Sequence, residues 1–471
     1  MTPCTAYRRR LLLPTLLLLS AACGRPGAPD PGVSGSGAAG SAEDETALVQ
    51  RARGIHERVI TIDTHVDISP ANFTAERNYT MDLPTQVNLP KMEEGGLDVA
   101  WFVVYVGQGP LTEEGYAAAT AQALEKFQAI HRLTEEIAPE RIGLALTSDD
   151  VRRIAASGRK VAMIGIENAY QVGTDLSNIQ RFWDLGGRYM SLAHNGHSQM
   201  SDSNTGERDG VWLHHGLSAL GRKAVAEMNR VGMMIDVSHP SREAMLQMAE
   251  LSRAPLIASH SAARALNDVS RNLDDEQLRI LAEGGGVVQT VAFASYIDSE
   301  KNAVRREAER GVLARVAEET GFELIPFRQV FSLPEAEREA YMEGYSHLRE
   351  AAAPGLMELD SVAPPVDVAD FVDHIDYLVN LIGIDHVGIS SDFDGGGGVR
   401  GWNNASETFN VTLELVRRGY TEEEIAKLWG ENLLRVMDEV QAVARDIRAQ
   451  GPSWNPGLDR GVVPIPGPAL P

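Results

Sequence analysis

Apolar residues fall along this chain in short unbroken runs rather than in strict alternation, at 59–66, 97–106, 161–167, 188–194, 232–238, 255–260, 286–292 and 386–391. Runs of this kind read as strands buried on both faces, the mark of a parallel sheet covered by helices. The segments between them carry helix signals. Thr112-Glu113-Glu114 opens an alanine-rich stretch, Ser241-Arg242-Glu243-Ala244-Met245 follows the fifth run, and Thr421-Glu422-Glu423-Glu424 supplies an acidic first turn that complements the helix dipole. Eight runs alternating with helices predict an α/β protein, a closed (β/α)8 TIM-type barrel. An open doubly wound sheet is the competing fold. It needs a glycine-rich phosphate turn after an early strand, and the turn after Val66 has none.

The same pattern divides the chain. The span from 292 to 386 is far longer than one barrel helix requires, and 301–319 and 335–352 read as charged amphipathic helices. A helical insertion at about 295–365 is therefore expected before the last strand, either a lid over the catalytic face or an elaborated outer helix. At the start, Arg8-Arg9-Arg10, an apolar stretch over 11–19 and small residues before Cys23 make 1–23 an export signal of the lipoprotein kind, with Cys23 as the lipid anchor. Residues 24–48, rich in Gly, Pro, Ser and Ala, predict a flexible tether, 49–450 the folded domain, and 451–471 a Pro- and Gly-rich tail. The expected location is the periplasm or cell envelope, anchored to a membrane. The only cysteines are Cys4 and Cys23, so the exported chain keeps no pair for a disulfide. A formal net charge of -23 excludes nucleic acid as the expected partner, since a phosphate backbone would be repelled.

Chemistry enters at the strand ends. His65 and Asp67 lie two apart on one strand, so they share a face and can hold one divalent cation between them. The last residues of the other runs add Glu167, His194, His239, His260 and Asp392. A lone histidine in an apolar run is more often a satisfied core residue. Several on one rim, where all parallel strands end, are costly to bury without a cation. The set suffices for two metals about 3.5 to 4 Å apart, with Glu167 able to bridge and a hydroxide held between them as nucleophile. Imidazole with carboxylate suits Zn2+, with manganese, cobalt and iron left open. Asp392 either accepts the hydroxide's proton or caps the glycine loop at 395–398.

Taken in order, Asp63-Thr64-His65-Val66-Asp67, Gly165-Ile166-Glu167-Asn168, Leu192-Ala193-His194-Asn195, Asp236-Val237-Ser238-His239, Ser259-His260-Ser261, Ser270-Arg271-Asn272 and Ser391-Asp392-Phe393-Asp394-Gly395 resemble the motifs of the membrane (renal) dipeptidases. That is metallopeptidase family M19 of the amidohydrolase-like barrels, and the resemblance runs over about 59–437. It implies a zinc-dependent dipeptidase that hydrolyses free dipeptides through a hydroxide bridging two metals, with a homodimer as the assembly it suggests. It also implies that His65 and Asp67 bind one metal, His239 and His260 the other, and Glu167 bridges them. His194 would polarise the scissile carbonyl, Arg271 would bind the substrate's C-terminal carboxylate, and Asp392 would handle the proton. A guanidinium forks onto a carboxylate with two parallel bonds, which suits Arg271 to that role; its other reading is a surface residue facing Asp274 or Asp275. Two other functions compete. One is a binuclear amidohydrolase for a cyclic amide, lactone or phosphotriester, many of which bridge their metals with a carboxylated lysine that 188–194 lacks. The other is a non-catalytic metal-binding lipoprotein, which has little use for Asp392.

Overall fold

The structure, a computed structural model, describes residues 44–450 except 331 and 332. The export signal, Cys23, the tether up to residue 43 and the tail from 451 lie outside the described residues. A helix starts at Glu45, with the Asp44 carboxylate accepting the Thr46 N–H, so residues 45–48, assigned to the tether from composition, are the first turn of Glu45–His56.

Among the described residues nine strands form one parallel sheet: β1 (Ile62–Asp67), β2 (Val99–Tyr105), β3 (Ile142–Leu144), β4 (Lys160–Glu167), β5 (Gly187–Ser191), β6 (Met234–Asp236), β7 (Leu256–Ser261), β8 (Val287–Val291) and β9 (Val387–Ser390). Eight of them follow one another as β1-β2-β4-β5-β6-β7-β8-β9, and these are the eight apolar runs. β3 is the addition. It pairs with β4 at residues 160–162, below the point where β5 takes over at Ile164, and three residues are too few to carry a pattern. The ring nearly closes where β9 meets β1. There Val66 pairs with Phe393, the Asp67 N–H donates to the Phe393 carbonyl at 2.9 Å, and the Asp63 carboxylate accepts the Ser391 N–H at 2.9 Å.

Strand period fixes which way each side chain faces. Val99 and Trp101 of β2, Val161 and Met163 of β4 and Tyr189 of β5 join one buried cluster; Ala100, Phe102, Ala162, Ile164 and Met190 join the other, which packs under the outer helices. The first cluster is the barrel interior, where Trp101 stacks on Tyr189. Leu433, Leu434, Met437 and Val440 of the terminal helix Asn432–Ala449 join it beside the first residues of β1, β2, β6 and β8. That helix seals the end where the strands begin, and chemistry is left to the end where they finish.

The insertion is a helical pair. Helices Ser299–Thr320 and Glu335–Glu358 pack through their own apolar seam, which includes Val312, Leu313, Leu348 and Leu356. Buried Arg305 ties it down, donating to Glu309, Asp360 and the carbonyls of Leu356 and Ala363. The outer helix proper of this barrel unit is Val368–Ile382, which packs against β8 and β9.

Candidate active site

The ring's finishing ends surround a cavity of about 600 Å³. β1 delivers His65 and Asp67 to one side, with Nε2 and Oδ2 3.7 Å apart. Glu167, the last residue of β4, lies between two groups. Its Oε2 is 3.6 Å from His65 Nε2, while its Oε1 is 2.9 Å from His239 Nε2 and 3.4 Å from His260 Nε2. Asp392, just past β9, is 3.9 Å from His65. His194, just past β5, is 3.9 Å from Glu167 and more open to the cavity, its side chain 17% exposed against 4% for His239.

The supports of these histidines decide where their lone pairs point. The Tyr189 hydroxyl donates its one proton to the Thr64 carbonyl at 3.0 Å, so it accepts from His65 Nδ1 at 3.1 Å, and neutral His65 turns a bare Nε2 toward the carboxylates. Tyr189 reaches that position because residue 165 is glycine, where a Cβ would come within 2.1 Å of the tyrosine ring. On the other side Ser259 Oγ donates to Asp236 at 2.6 Å and accepts from His260 Nδ1 at 2.7 Å. Neutral His260 thus faces Nε2 inward, only 3.1 Å from His239 Nε2. His239 Nε2 also faces Glu167 Oε1 at 2.9 Å, and its Nδ1 is buried without a partner, so two imidazole nitrogens and a carboxylate oxygen converge on one point.

Without a cation beside them, the carboxylates draw a proton onto His65 instead. Burial opposes a charge on His65, yet Glu167, Asp392 and Asp67 outweigh it and push the imidazole up to about 9. Burial pushes Asp392 up to about 8 and Asp67 up to about 6. Burial also works against ionised Glu167, but His194, His65 and His239 hold it well below the usual carboxylate range. His239 and His260 are held well below the ordinary imidazole value by burial, with Arg271 adding to it. His65 Nε2 and Glu167 Oε1 are buried without a hydrogen bond. Three overlapping groups bring their ligand atoms within 4.8 Å of one another: His65 with Glu167 and His260, Glu167 with His194 and His239, and His65 with Asp67 and Asp392. Orphaned ligand atoms, inward lone pairs and clustered carboxylates fit divalent cations at this rim.

Two tight turns shape the rim. Asp392 and Asp394 take φ of 59° and 62°, a left-handed conformation that costs a non-glycine residue of order 1–3 kcal/mol and recurs at functional sites. Gly395 is wedged between carboxylates, since a Cβ there would lie 2.3 Å from both Asp392 Oδ1 and Asp67 Oδ2.

Arg271 is 5% exposed, so it is no surface residue, and Asp274 is bonded instead to Arg242. Its Nη atoms donate to the Ser238 carbonyl, Ser261 Oγ at 3.0 Å and the His260 carbonyl at 2.9 Å, while Nε stays without a partner. It lines a second cavity of about 430 Å³ that shares Asn195 and Tyr296 with the first.

Several residues here were not singled out from sequence. Asp63 and Asp236 were visible as acids inside apolar runs, and both accept backbone N–H bonds that set the neighbouring strand ends. Tyr105 lies 4.5 Å from the His194 ring, and Asp394 ties the rim to the Gln86 and Val87 N–H groups. Lys126 and Tyr296 also line the cavity. Nothing in the local sequence distinguished them, because one sits mid-helix and the other in the one-turn helix Ala294–Ile297 after β8.

Comparison with known proteins agrees with this geometry. The family model for membrane dipeptidase (Peptidase family M19) matches residues 49–451. Dipeptidase tcpJ of Claviceps purpurea is 30% identical over 370 residues, covering 78% of this chain and 72% of the relative. Dipeptidase aclJ of Aspergillus oryzae is 30% identical over 382 residues, covering 80% and 74%. Among solved structures, the probable dipeptidase PvdM from Pseudomonas aeruginosa superposes with a TM-score of 0.68 at 32% identity, over 84% of this chain and 99% of that one. A metallopeptidase from Rhodobacter sphaeroides, liganded with a phosphinate mimic of the dipeptide L-Ala-D-Ala, shares the fold at a TM-score of 0.59 and 23% identity, covering 81% and 99%. With a barrel of this topology, a metal-fitting rim and a match across nearly all the described residues, the chain belongs to the membrane dipeptidase family of metallopeptidases, peptidase family M19.

Proposed function

We propose that this protein hydrolyses the peptide bond of free dipeptides with two divalent metal ions, and that zinc best matches the donor set. The observation that carries the reading is Glu167, whose two oxygens face two different sets of histidines. His65 and Asp67 would hold one ion, His239 and His260 the other, and Glu167 both. Bound there, such ions supply Lewis acidity and an acidified water.

The chain's own residues do the rest. Arg271 binds the substrate carboxylate through the donors its carbonyl partners leave free, and so admits one residue after the scissile bond. His194, open to the cavity, donates to the scissile carbonyl oxygen as charge develops on it. Asp392 takes a proton from the attacking water and returns it to the leaving nitrogen; a carboxyl raised toward neutrality is suited to both transfers. The water oxygen ends on the acyl carbon and the proton on the amine, which balances the hydrolysis. Elemental analysis of the purified protein together with a dipeptide panel tests the reading. Two metals per chain with turnover are expected, and a fully metallated protein that cleaves no dipeptide would overturn it.

We further propose export with Cys23 as a lipid anchor and the residues up to 43 as its tether. Mass spectrometry of the mature N-terminus checks this, and an unmodified Cys23, or cleavage elsewhere, removes the anchor.

A further inference from the structure

Helix Glu113–Arg132 follows β2 and carries Lys126 on the wall of the main cavity. The side chain is half-buried, with Nζ 5.7 Å from the centroid of the Tyr105 ring. Among the described residues Lys126 has neither a hydrogen-bond partner nor a carboxylate at ion-pairing distance. A lysine so placed is a cation without a protein partner at the edge of a site, and burial disfavours its charge while Asp67 and Glu167 support it.

The ring order gives it a direction. β2 is second and β7 is sixth in β1-β2-β4-β5-β6-β7-β8-β9, so they stand opposite each other in a ring of eight. Arg271 follows β7 and is bonded to the end of that strand, and Glu167 and the histidines lie between the two walls. A dipeptide with its carboxylate at Arg271 and its scissile bond over Glu167 therefore extends its N-terminal residue toward Tyr105 and Lys126. Its α-ammonium is drawn to Asp67 and Asp394, which line the same cavity.

We propose that Lys126 is a specificity residue for the N-terminal position, binding a side-chain carboxylate there, so that dipeptides beginning with Asp or Glu are preferred over their neutral isosteres. This rests on the dipeptidase reading above. The test is kcat/KM for Glu-Ala against Gln-Ala and Asp-Ala against Asn-Ala, in the metal-loaded wild type and in Lys126→Met and Lys126→Arg. The wild type should favour the acid over the amide by about 10- to 100-fold, the range expected of a charge-assisted hydrogen bond. The ratio should fall to about 1 in Lys126→Met and return in Lys126→Arg, which keeps the charge. Each ratio is internal to one protein, so a loss of stability cancels; Lys126→Gln serves where the Met variant does not fold. A wild-type ratio near 1, or an unchanged ratio in Lys126→Met, overturns the proposal while cleavage of Gln-Ala leaves the dipeptidase reading standing. Failure to cleave any of the four overturns both.

Discussion

Two sides of the site meet at Glu167 and are built from different chemistry. On the β1 side one imidazole, His65, stands among Asp67, Asp392 and Glu167, and this crowd of carboxylates requires a positive charge in its midst. On the β6 and β7 side His239 and His260 stand with His194 near Arg271, and burial with that guanidinium keeps the two imidazoles neutral well below their ordinary range. One side attracts a cation by charge; the other offers imidazole nitrogens that burial keeps uncharged. The difference gives the cavity a polarity. An acidic wall faces a wall backed by an arginine, as a zwitterionic substrate with an ammonium at one end and a carboxylate at the other requires.

The largest test of that division is Glu167→Gln, which removes the one carboxylate common to both sides. Metal content is expected to fall below two per chain and kcat by more than the roughly 10⁴-fold that one acid–base group contributes at most. Two ions retained in elemental analysis would show that the sides do not share this ligand. Asp392→Asn should spare the metals and cut kcat by about 10² to 10⁴-fold, because the amide keeps the shape but can neither take up nor give back a proton near neutral pH. Near-normal kcat would leave Asp392 with only the turn it makes toward Gly395. On the opposite wall, wild type should prefer a free dipeptide over its C-terminal amide by about 10 to 100-fold in kcat/KM, and Arg271→Met should erase the preference. A preference that survives in the Met variant assigns the carboxylate to another group. The smallest effect belongs to Ser259→Ala, which cuts the link from Asp236 to His260 and should weaken metal binding by about 10-fold, near the low end for groups that orient a ligand. Titration of the apoprotein with zinc reads it, and unchanged affinity would mean that strand packing alone orients His260.

The barrel was legible for a physical reason. Parallel strands covered on both faces cannot alternate, so each appears as a continuous apolar run, and all eight runs became strands of the ring. The polar residues ending those runs were legible as a set because parallel strands finish on one rim. β3 was not, since three residues borrow their conformation from β4. Lys126 and Tyr296 reach the cavity from a long helix and a one-turn helix whose placement depends on tertiary packing, and no local pattern records that. The insertion was foreseen as helical, with lid and outer helix both open. Among the described residues of its two long helices, none lines the main cavity, which draws only Phe293 and Tyr296 from the start of that segment.

The seam between β9 and β1 bears on how the protein comes to be active. Ser391 and Asp63, whose bond helps close the ring, are 328 residues apart in sequence. Asp67 and Asp392 flank that same seam, so the acidic wall comes together only when the first and last strands meet. Contacts of such long span bear the full entropy of loop closure and form late. A chain still missing its final strand has its histidines and Glu167 but lacks Asp392 and the turn that holds it beside Asp67. Peptidase activity should therefore emerge as the concluding event of folding, and in refolding experiments it should lag behind the recovery of helix.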